Sequence, residues 1–429
     1  MTDPITPTRD HALAVAADFV RDHEQTLVAL SHSLHAEPET AMQEHKSAAK
    51  IARIAEEAGF DVTYAVADLP TAFVATYGTG DLVVALCAEY DALPGIGHAC
   101  GHNVNGAASA GAALGLAAVA DLVGITVKLI GTPAEEDIGG KALLIEAGVF
   151  DDVAVAFMAH AAPEDSVGAS SLAIGAWDVV YRGKPAHAAL APWEGVNALD
   201  AITLAHTAVG LLRQQLPPGT LVHDVVFEAG RAVNVIPDTA RARYELRART
   251  IEDLAHARRR IRACLEAAAL ATGAELELTP HGADFADLRQ DDFLTDAYTR
   301  AARALGREPV DRRGEVMAST DMGNVSHLLP ALHPTIGYDT EGAHHHTALF
   351  ARYGDSPDAD RAVVDAAIAL AHVGVEVATD ETQRKRYLDL LADRRAVTAR
   401  SAASTLVRIS RCAALGQEGV HERDCSERR

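Results

Sequence analysis

Three short segments carry the residue types that bind metal or move protons, and each follows an apolar run. Glu89, Asp91, His98, Cys100 and His102 come after Leu82–Ala88, Glu135 and Glu136 after Ile125–Ile130, and His160 after Val153–Ala159. A fourth segment, GAHHHTALF, supplies His344, His345 and His346. In an open α/β sheet, ligands gather where the carboxyl ends of strands leave a crevice, so separate segments can converge on one centre. Cys100 and His102 flank Gly101, a spacing that lets a thiolate and an imidazole approach one ion while the glycine bends the loop. Alone, that triplet is a weak signal, because a cysteine is most often an inert core residue. Its recurrence with Glu136, His160 and a downstream histidine strengthens it. The adjacent acids of GTPAEEDIGG point in different directions, so one can be a ligand and the other a base. A cation lowers the pKa of a bound water toward ~7, and Glu135 is then the base that takes the proton and passes it to a leaving amine. Without a metal, the same acids would only complement the positive end of a helix.

Two further positions could touch a substrate. His187, in KPAHAAL, could stabilise an oxyanion from a lid, or be an exposed loop histidine. Asn234, in GRAVNVIPD, could hold a carboxylate or amide, or be a turn residue before a strand.

The elements that must position these residues follow from periodicity. Helical spacing predicts helices over His11–Leu34 and Ala41–Ala58, the second stopped by Gly59. Short strands are predicted over Phe60–Val66 and Thr71–Tyr77, then Leu82–Ala88, whose unbroken apolar run suits a strand buried on both faces. Helix Gly106–Val123, strand Ile125–Ile130, helix Lys141–Ala147 and strand Val153–Ala159 continue the alternation, which predicts an α/β fold with a mostly parallel, helix-covered sheet. From Leu172 the pattern changes to strand Leu172–Tyr181, helix Val196–Leu212, strands Leu221–Glu228 and Ala240–Ala248, helix Ile251–Ala271 and strand Ala274–Thr279. That βαββαβ order is the ferredoxin-like unit. Helix Asp292–Leu305, strand Pro334–Tyr338 and helix Asp360–Val377 then resume the first pattern. The expected organisation is a discontinuous catalytic domain over 1–170 and 286–383 with an inserted lid over 171–285. The basic segment 384–429 is expected to be helix to about Ser410 and then a loose, solvated appendage.

Composition narrows the function. A chain of 429 residues exceeds the usual size of one core, so two domains are expected. A net charge of -22 repels phosphate backbones and excludes nucleic acid as a partner. Five cysteines, Cys87, Cys100, Cys264, Cys412 and Cys425, lack paired spacing and point to a reducing cytoplasm. No stretch approaches the ~20 apolar residues of a membrane span, and the N-terminus lacks a basic stretch followed by an apolar run. Neither export nor membrane insertion is expected.

The segments AEYDALPGIGHACGHN, GTPAEE, FMAHAAPE, GKPAHAAL, NVIPD, STDMGNVS and HHHTALFA stand in this order between about Thr26 and Glu376. With them the chain resembles the zinc exopeptidase and amidohydrolase family of aminoacylase, carboxypeptidase G, auxin-conjugate hydrolases and p-aminobenzoyl-glutamate hydrolase. The resemblance implies metal ligands at Cys100, His102, Glu136, His160 and His346, the last preferred to His345 only for its place before Thr347. It also implies two divalent ions, zinc or manganese, and a homodimer formed through the lid. His187 would then reach the partner's site and Asn234 would contact substrate. Two departures qualify it. Better-known members carry His-x-Asp where this chain has Glu89-Tyr90-Asp91, which leaves Asp91 at best to orient a ligand. Asn103 stands where auxin-conjugate hydrolases often have Asp. Both features are closer to the branch of p-aminobenzoyl-glutamate hydrolase and the β-alanyl-lysine type dipeptidase. The expected reaction is hydrolysis of the amide bond of an N-acyl amino acid or dipeptide. Two rivals stand beside it: a catalytically silent small-molecule binding protein on the same fold, and an amidase using Cys100 as nucleophile beside His102.

Overall fold

Leu82–Ala88 is buried at all seven positions, as its unbroken apolar run requires. It lies inside a six-stranded sheet in a computed structural model that describes residues 9–397. Edge to edge the strands are Asp61–Tyr64, Phe73–Tyr77, Ile125–Gly131, Leu82–Ala88, Val155–Phe157 and Ala331–Leu332. The first two pairings are antiparallel and the remaining three parallel. Parallel neighbours need crossovers, and one of them runs through the helix His102–Ala117, buried from His102 to Leu116. Its Ala- and Gly-rich sequence permits that depth: a Cβ on Gly111 would sit 2.7 Å from Leu27 Cδ1 and 2.8 Å from Ala367 Cβ.

Ala367 belongs to the helix Pro357–Thr379, started by Pro357 and by the Ser356 side chain accepting from Ala359 N. Contrary to the expectation that no stretch is long and apolar enough to span a membrane, this helix is, the one such among the described residues. Its length is spent inside the protein. It packs against His102–Ala117, Arg9–Asp22 and Asp292–Ala304 and is the centre of the largest core.

The second unit has the predicted order. Strands Glu275–Phe285, Ala173–Arg182, Thr239–Ala248 and Leu221–Glu228 form an antiparallel sheet in that spatial order. Burial alternates residue by residue along Ala173–Arg182, the signature of a sheet covered on one face. Helices Ala198–Leu212 and Ile251–Thr272 cover it, closing a separate core around Tyr181, Ile202, Tyr244 and Ile261.

Some predicted elements differ. His11–Leu34 is two helices, Arg9–Asp22 and Glu24–Ala36, broken at His23. Val153–Ala159 yields only Val155–Phe157, and His160–Ala162 opens another strand. That strand pairs with Thr335–Gly337 in a small third sheet with Ser166–Val167 and Val310–Asp311. Strands of two or three residues are too short to carry a period. The basic segment is helical where the structure describes it. Residues 381–397 form a helix that docks, burying Tyr387 and Leu391. Arg386 pairs with Asp291 at 2.6 Å, and Arg394 donates to the Phe150 carbonyl at 3.2 Å. Arg384, Arg386 and Arg394 thus serve acids and carbonyls of the body, whereas Lys385 pairs with Asp389 within the helix. The rest of the expected helix, to about Ser410, and the tail beyond it lie outside the described residues.

Candidate metal centre

Gly101 opens the helix His102–Ala117 in the left-handed conformation, φ +75°. A Cβ there would lie 2.4 Å from Ala161 Cβ. Glycine thus allows Cys100 and His102 to settle directly on the strand His160–Ala162. The Cys100 Sγ lies 3.8 Å from His160 Nε2 and 3.7 Å from His346 Nε2. His346 Nε2 is 3.4 Å from Glu136 Oε2, and His102 Nε2 is 4.0 Å from Glu136 Oε1. All five residues implied as ligands therefore meet at one place.

The outward nitrogens are held. His102 Nδ1 donates to the Asp91 carbonyl at 2.8 Å and carboxylate at 3.0 Å, and His160 Nδ1 to the Ala161 carbonyl at 2.8 Å. Those bonds fix a proton on Nδ1 and aim each Nε2 inward; at His102, where burial is outweighed by Asp91 and Glu89 and the ring stays protonated, Nε2 would offer its lone pair once a cation displaced the second proton. His346 adopts φ +62° while its N–H is held by the Ala99 carbonyl at 2.9 Å. Strain of that kind is tolerated where the surroundings enforce it. His345 faces elsewhere, its Nε2 on the Ala161 carbonyl at 2.8 Å.

Electrostatics asks for a cation. His102 Nε2 and Glu136 Oε1 are buried without a hydrogen-bond partner, which ordinary folding avoids. Burial lowers the His160 pKa to about 3, leaving a neutral imidazole. Burial acts to raise Glu136, but the His346 bond and the charges of His102 and His346 outweigh it and hold the carboxyl at about 2. Burial and the Glu136 charge push the Cys100 thiol well above its ordinary value. A bound cation would reverse that and yield the thiolate. One sulfur, three imidazoles and a carboxylate make a donor set that fits a divalent transition ion.

Glu135 is buried beside this cluster, and burial with the charges of Glu89, Glu136 and Asp321 raises its pKa well above the carboxylate range. Beneath it lies a network that sequence reasoning missed. Lys141 Nζ is 2.6 Å from both Glu89 Oε1 and Asp321 Oδ1, with all three side chains fully buried. Glu89 Oε2 accepts from Asn105 Nδ2 at 3.1 Å, and Asn105 Oδ1 accepts from Ala161 N at 2.8 Å. The network thereby ties the strand bearing His160 to the helix bearing His102. Its signal was a lysine at the head of an apolar helix, Lys141-Ala-Leu-Leu-Ile, and a glutamate ending a buried strand.

The cluster opens on a cavity of about 500 Å³ between the first sheet and the ferredoxin-like unit. Arg243, Glu245 and Arg247 line one side, and Ser166, Gln290 and His333 another. His187 and Asn234 do not line it. His187 is exposed, its Nδ1 accepting from Ala189 N at 3.2 Å, and the exposed Asn234 gives its carbonyl to Ala188 N at 3.1 Å. Within one chain neither reaches the cluster.

The sequence model of peptidase family M20/M25/M40 matches residues 85–367, more than half of the chain. The Xaa-Arg dipeptidase of Mus musculus is 37% identical over 379 residues, covering 84% of this chain and 88% of the relative. One of the polypeptides of p-aminobenzoyl-glutamate hydrolase from Escherichia coli K12 is 34% identical over 283 residues, 61% of this chain and 58% of that one. A dinuclear metal-binding M20 peptidase from Bacillus subtilis superposes with TM-score 0.63 at 25% identity, covering 83% and 99% of the two chains. An aminobenzoyl-glutamate utilization protein from Klebsiella pneumoniae shares the fold, with TM-score 0.67 at 22% identity and coverage of 84% and 97%.

Proposed function

The chain belongs to peptidase family M20/M25/M40 and is a hydrolase; from that premise we propose that it cleaves the amide bond of a dipeptide or N-acyl amino acid at the Cys100, His102, Glu136, His160 and His346 cluster. The observation that carries this reading is the buried, unpartnered pair His102 Nε2 and Glu136 Oε1, facing a thiol and two further imidazoles. Bound there, two zinc or manganese ions supply the Lewis-acid charge that activates a water and polarises the scissile carbonyl. Burial and the neighbouring acids keep the Glu135 carboxyl protonated until offset by the charge of bound ions; as a carboxylate, Glu135 would take the proton of the attacking water and deliver it to the leaving nitrogen. Asp91 holds His102 in the tautomer that keeps Nε2 free. Arg247, hydrogen-bonded to Glu245 at 2.9 Å and Ser319 at 3.3 Å in the cavity wall, offers the cation for a free substrate carboxylate.

His187 and Asn234 act in a partner's cavity within a homodimer built through residues 171–285, which serve as lid to the catalytic residues 1–170 and 286–383. Exposed Val225 and Phe227 on the edge strand Leu221–Glu228, and exposed Trp193 near His187, supply the apolar surface for that contact. A reducing cytoplasm suits the free Cys100 thiol. The named activities of the mouse and E. coli relatives favour a dipeptide ending in a basic residue, with an N-acyl amino acid second.

The test uses alanyl-arginine with zinc- or manganese-loaded protein. Glu135→Gln is expected to abolish hydrolysis while metal content stays at the parent value. Hydrolysis that survives complete metal removal would transfer the reaction to Cys100 as nucleophile. Absence of turnover on any dipeptide or acyl amino acid would leave a binding protein.

A further inference from the structure

Glu44 occupies the N-cap position of the helix His45–Glu57, yet its side chain makes no cap bond. It is fully buried and reaches across 90 residues of sequence, its Oε1 accepting from Ala134 N at 2.9 Å. Ala134 is one of the few non-glycine residues in the left-handed region, φ +58°, a conformation unfavourable to any residue with a Cβ. The turn folds tightly on itself, with Gly139 N donating back to the Ala134 carbonyl at 2.9 Å. Two residues on, Glu136 N donates to Asp91 Oδ2 at 3.0 Å. The N–H groups on both sides of Glu135 are thus each held by a carboxylate from a distant element. Burial and the nearby Asp91 charge push the Glu44 carboxyl up to about 7, so keeping an acid here costs stability that a helix cap would not repay.

We propose that Glu44 is a positioning residue for the general base: it pins the strained turn at Ala134 and so aims Glu135 into the cavity beside Glu136. The pin has the geometry such a role needs. Ala134 left free would relax toward negative φ and rotate the following peptide, carrying the Glu135 side chain with it. Misplacement of a catalytic group by about 1 Å can cost on the order of a hundredfold in rate. This inference rests on the role of Glu135 given above.

The experiment compares the parent with Glu44→Ala and Glu44→Gln as full-length, zinc-loaded protein. Alanyl-arginine kinetics, metal content and hydrogen–deuterium exchange of the segment 132–139 are read together. Glu44→Ala is expected to lower kcat tenfold or more, with KM within about threefold, metal content unchanged and exchange faster in that segment alone. Glu44→Gln keeps an acceptor oxygen and is expected to stay within about threefold of the parent. Should Glu44→Ala fail to fold, Glu44→Asp, too short to reach Ala134 N, takes its place. Parent-like kcat in Glu44→Ala, or equal loss in both variants with unaltered exchange, overturns the proposal. If the parent itself hydrolyses nothing, the functional reading fails, and unchanged exchange in Glu44→Ala still overturns the pin.

Discussion

Replacing Lys141 by Met removes an ammonium from between two carboxylates that have no water to turn to. Both contacts are 2.6 Å long, and the side chains of Lys141, Glu89 and Asp321 are wholly inaccessible. Removing one partner of a buried pair costs about 3–5 kcal/mol, because the charge left behind is uncompensated. Here two acids are left, and oxygens of Glu89, Glu135 and Asp321 all lie within 4.8 Å of one another. Proton uptake by one of them limits the damage, so about 3–5 kcal/mol is the expected loss at pH 8. That is a large share of a typical folding free energy of roughly 5–15 kcal/mol. The sign with pH follows. In the parent, Lys141 is the largest influence opposing burial at Glu89 and holds that carboxyl below the ordinary range. In the variant, burial raises the folded-state pKa above the unfolded value, so the folded state binds protons that the unfolded state releases. Stability is then lost as pH rises through the raised pKa, and the deficit is smaller at pH 5 than at pH 8. Urea unfolding of metal-free protein, followed by circular dichroism at both pH values, measures it. Adding Asp321→Asn to the variant should recover on the order of 1 kcal/mol. A deficit below about 1 kcal/mol at pH 8, or one equal at the two pH values, would refute the argument that this ammonium is electrostatically required.

Two neighbouring histidines should separate in metal binding: His346→Ala is expected to lose metal on dialysis, whereas His345→Ala, whose ring is engaged by the Ala161 carbonyl, keeps it. Atomic absorption after dialysis decides, and equal retention would remove His346 from the ligand set. The metal-free protein should weaken in acid through histidines that are buried neutral. Burial lowers His98 to about 3 and His333 to about 4. Their folded-state values lie below the unfolded one near 6.5, so the unfolded state binds more protons and stability falls as pH drops from about 6.5 toward 4. Each contributes roughly 1.4 kcal/mol per pH unit inside that window. His98→Gln should flatten the slope by about one proton's worth, and a slope indifferent to that change would show that His98 is not a source of it.

The residues that gather at the candidate centre and the elements that carry them were legible in the sequence because both signals are local. Leu82–Ala88 announces a doubly buried strand by its unbroken apolar run, and the strand–helix order from Leu172 gives the ferredoxin-like unit by its change of period. The Cys100-Gly101-His102 triplet and the Glu135-Glu136 pair mark themselves by residue type and by their place after apolar runs. What tertiary structure alone decided is which atoms face which. His345 and His346 are identical in chemistry and adjacent in the chain, and the positive φ of His346 turns one inward while the other buttresses Ala161. Lys141 read as an ordinary helix residue until Glu89 and Asp321 closed around it from 52 residues before and 180 after. Glu44 lies inside the predicted helix Ala41–Ala58 with nothing local to single it out, and His187 and Asn234, placed near substrate by motif, lie outside the cavity of their own chain. Periodicity reports how one element divides its faces between core and solvent. Convergence of side chains from residues 100 to 346 depends on how those elements pack, and no single stretch of sequence encodes that packing.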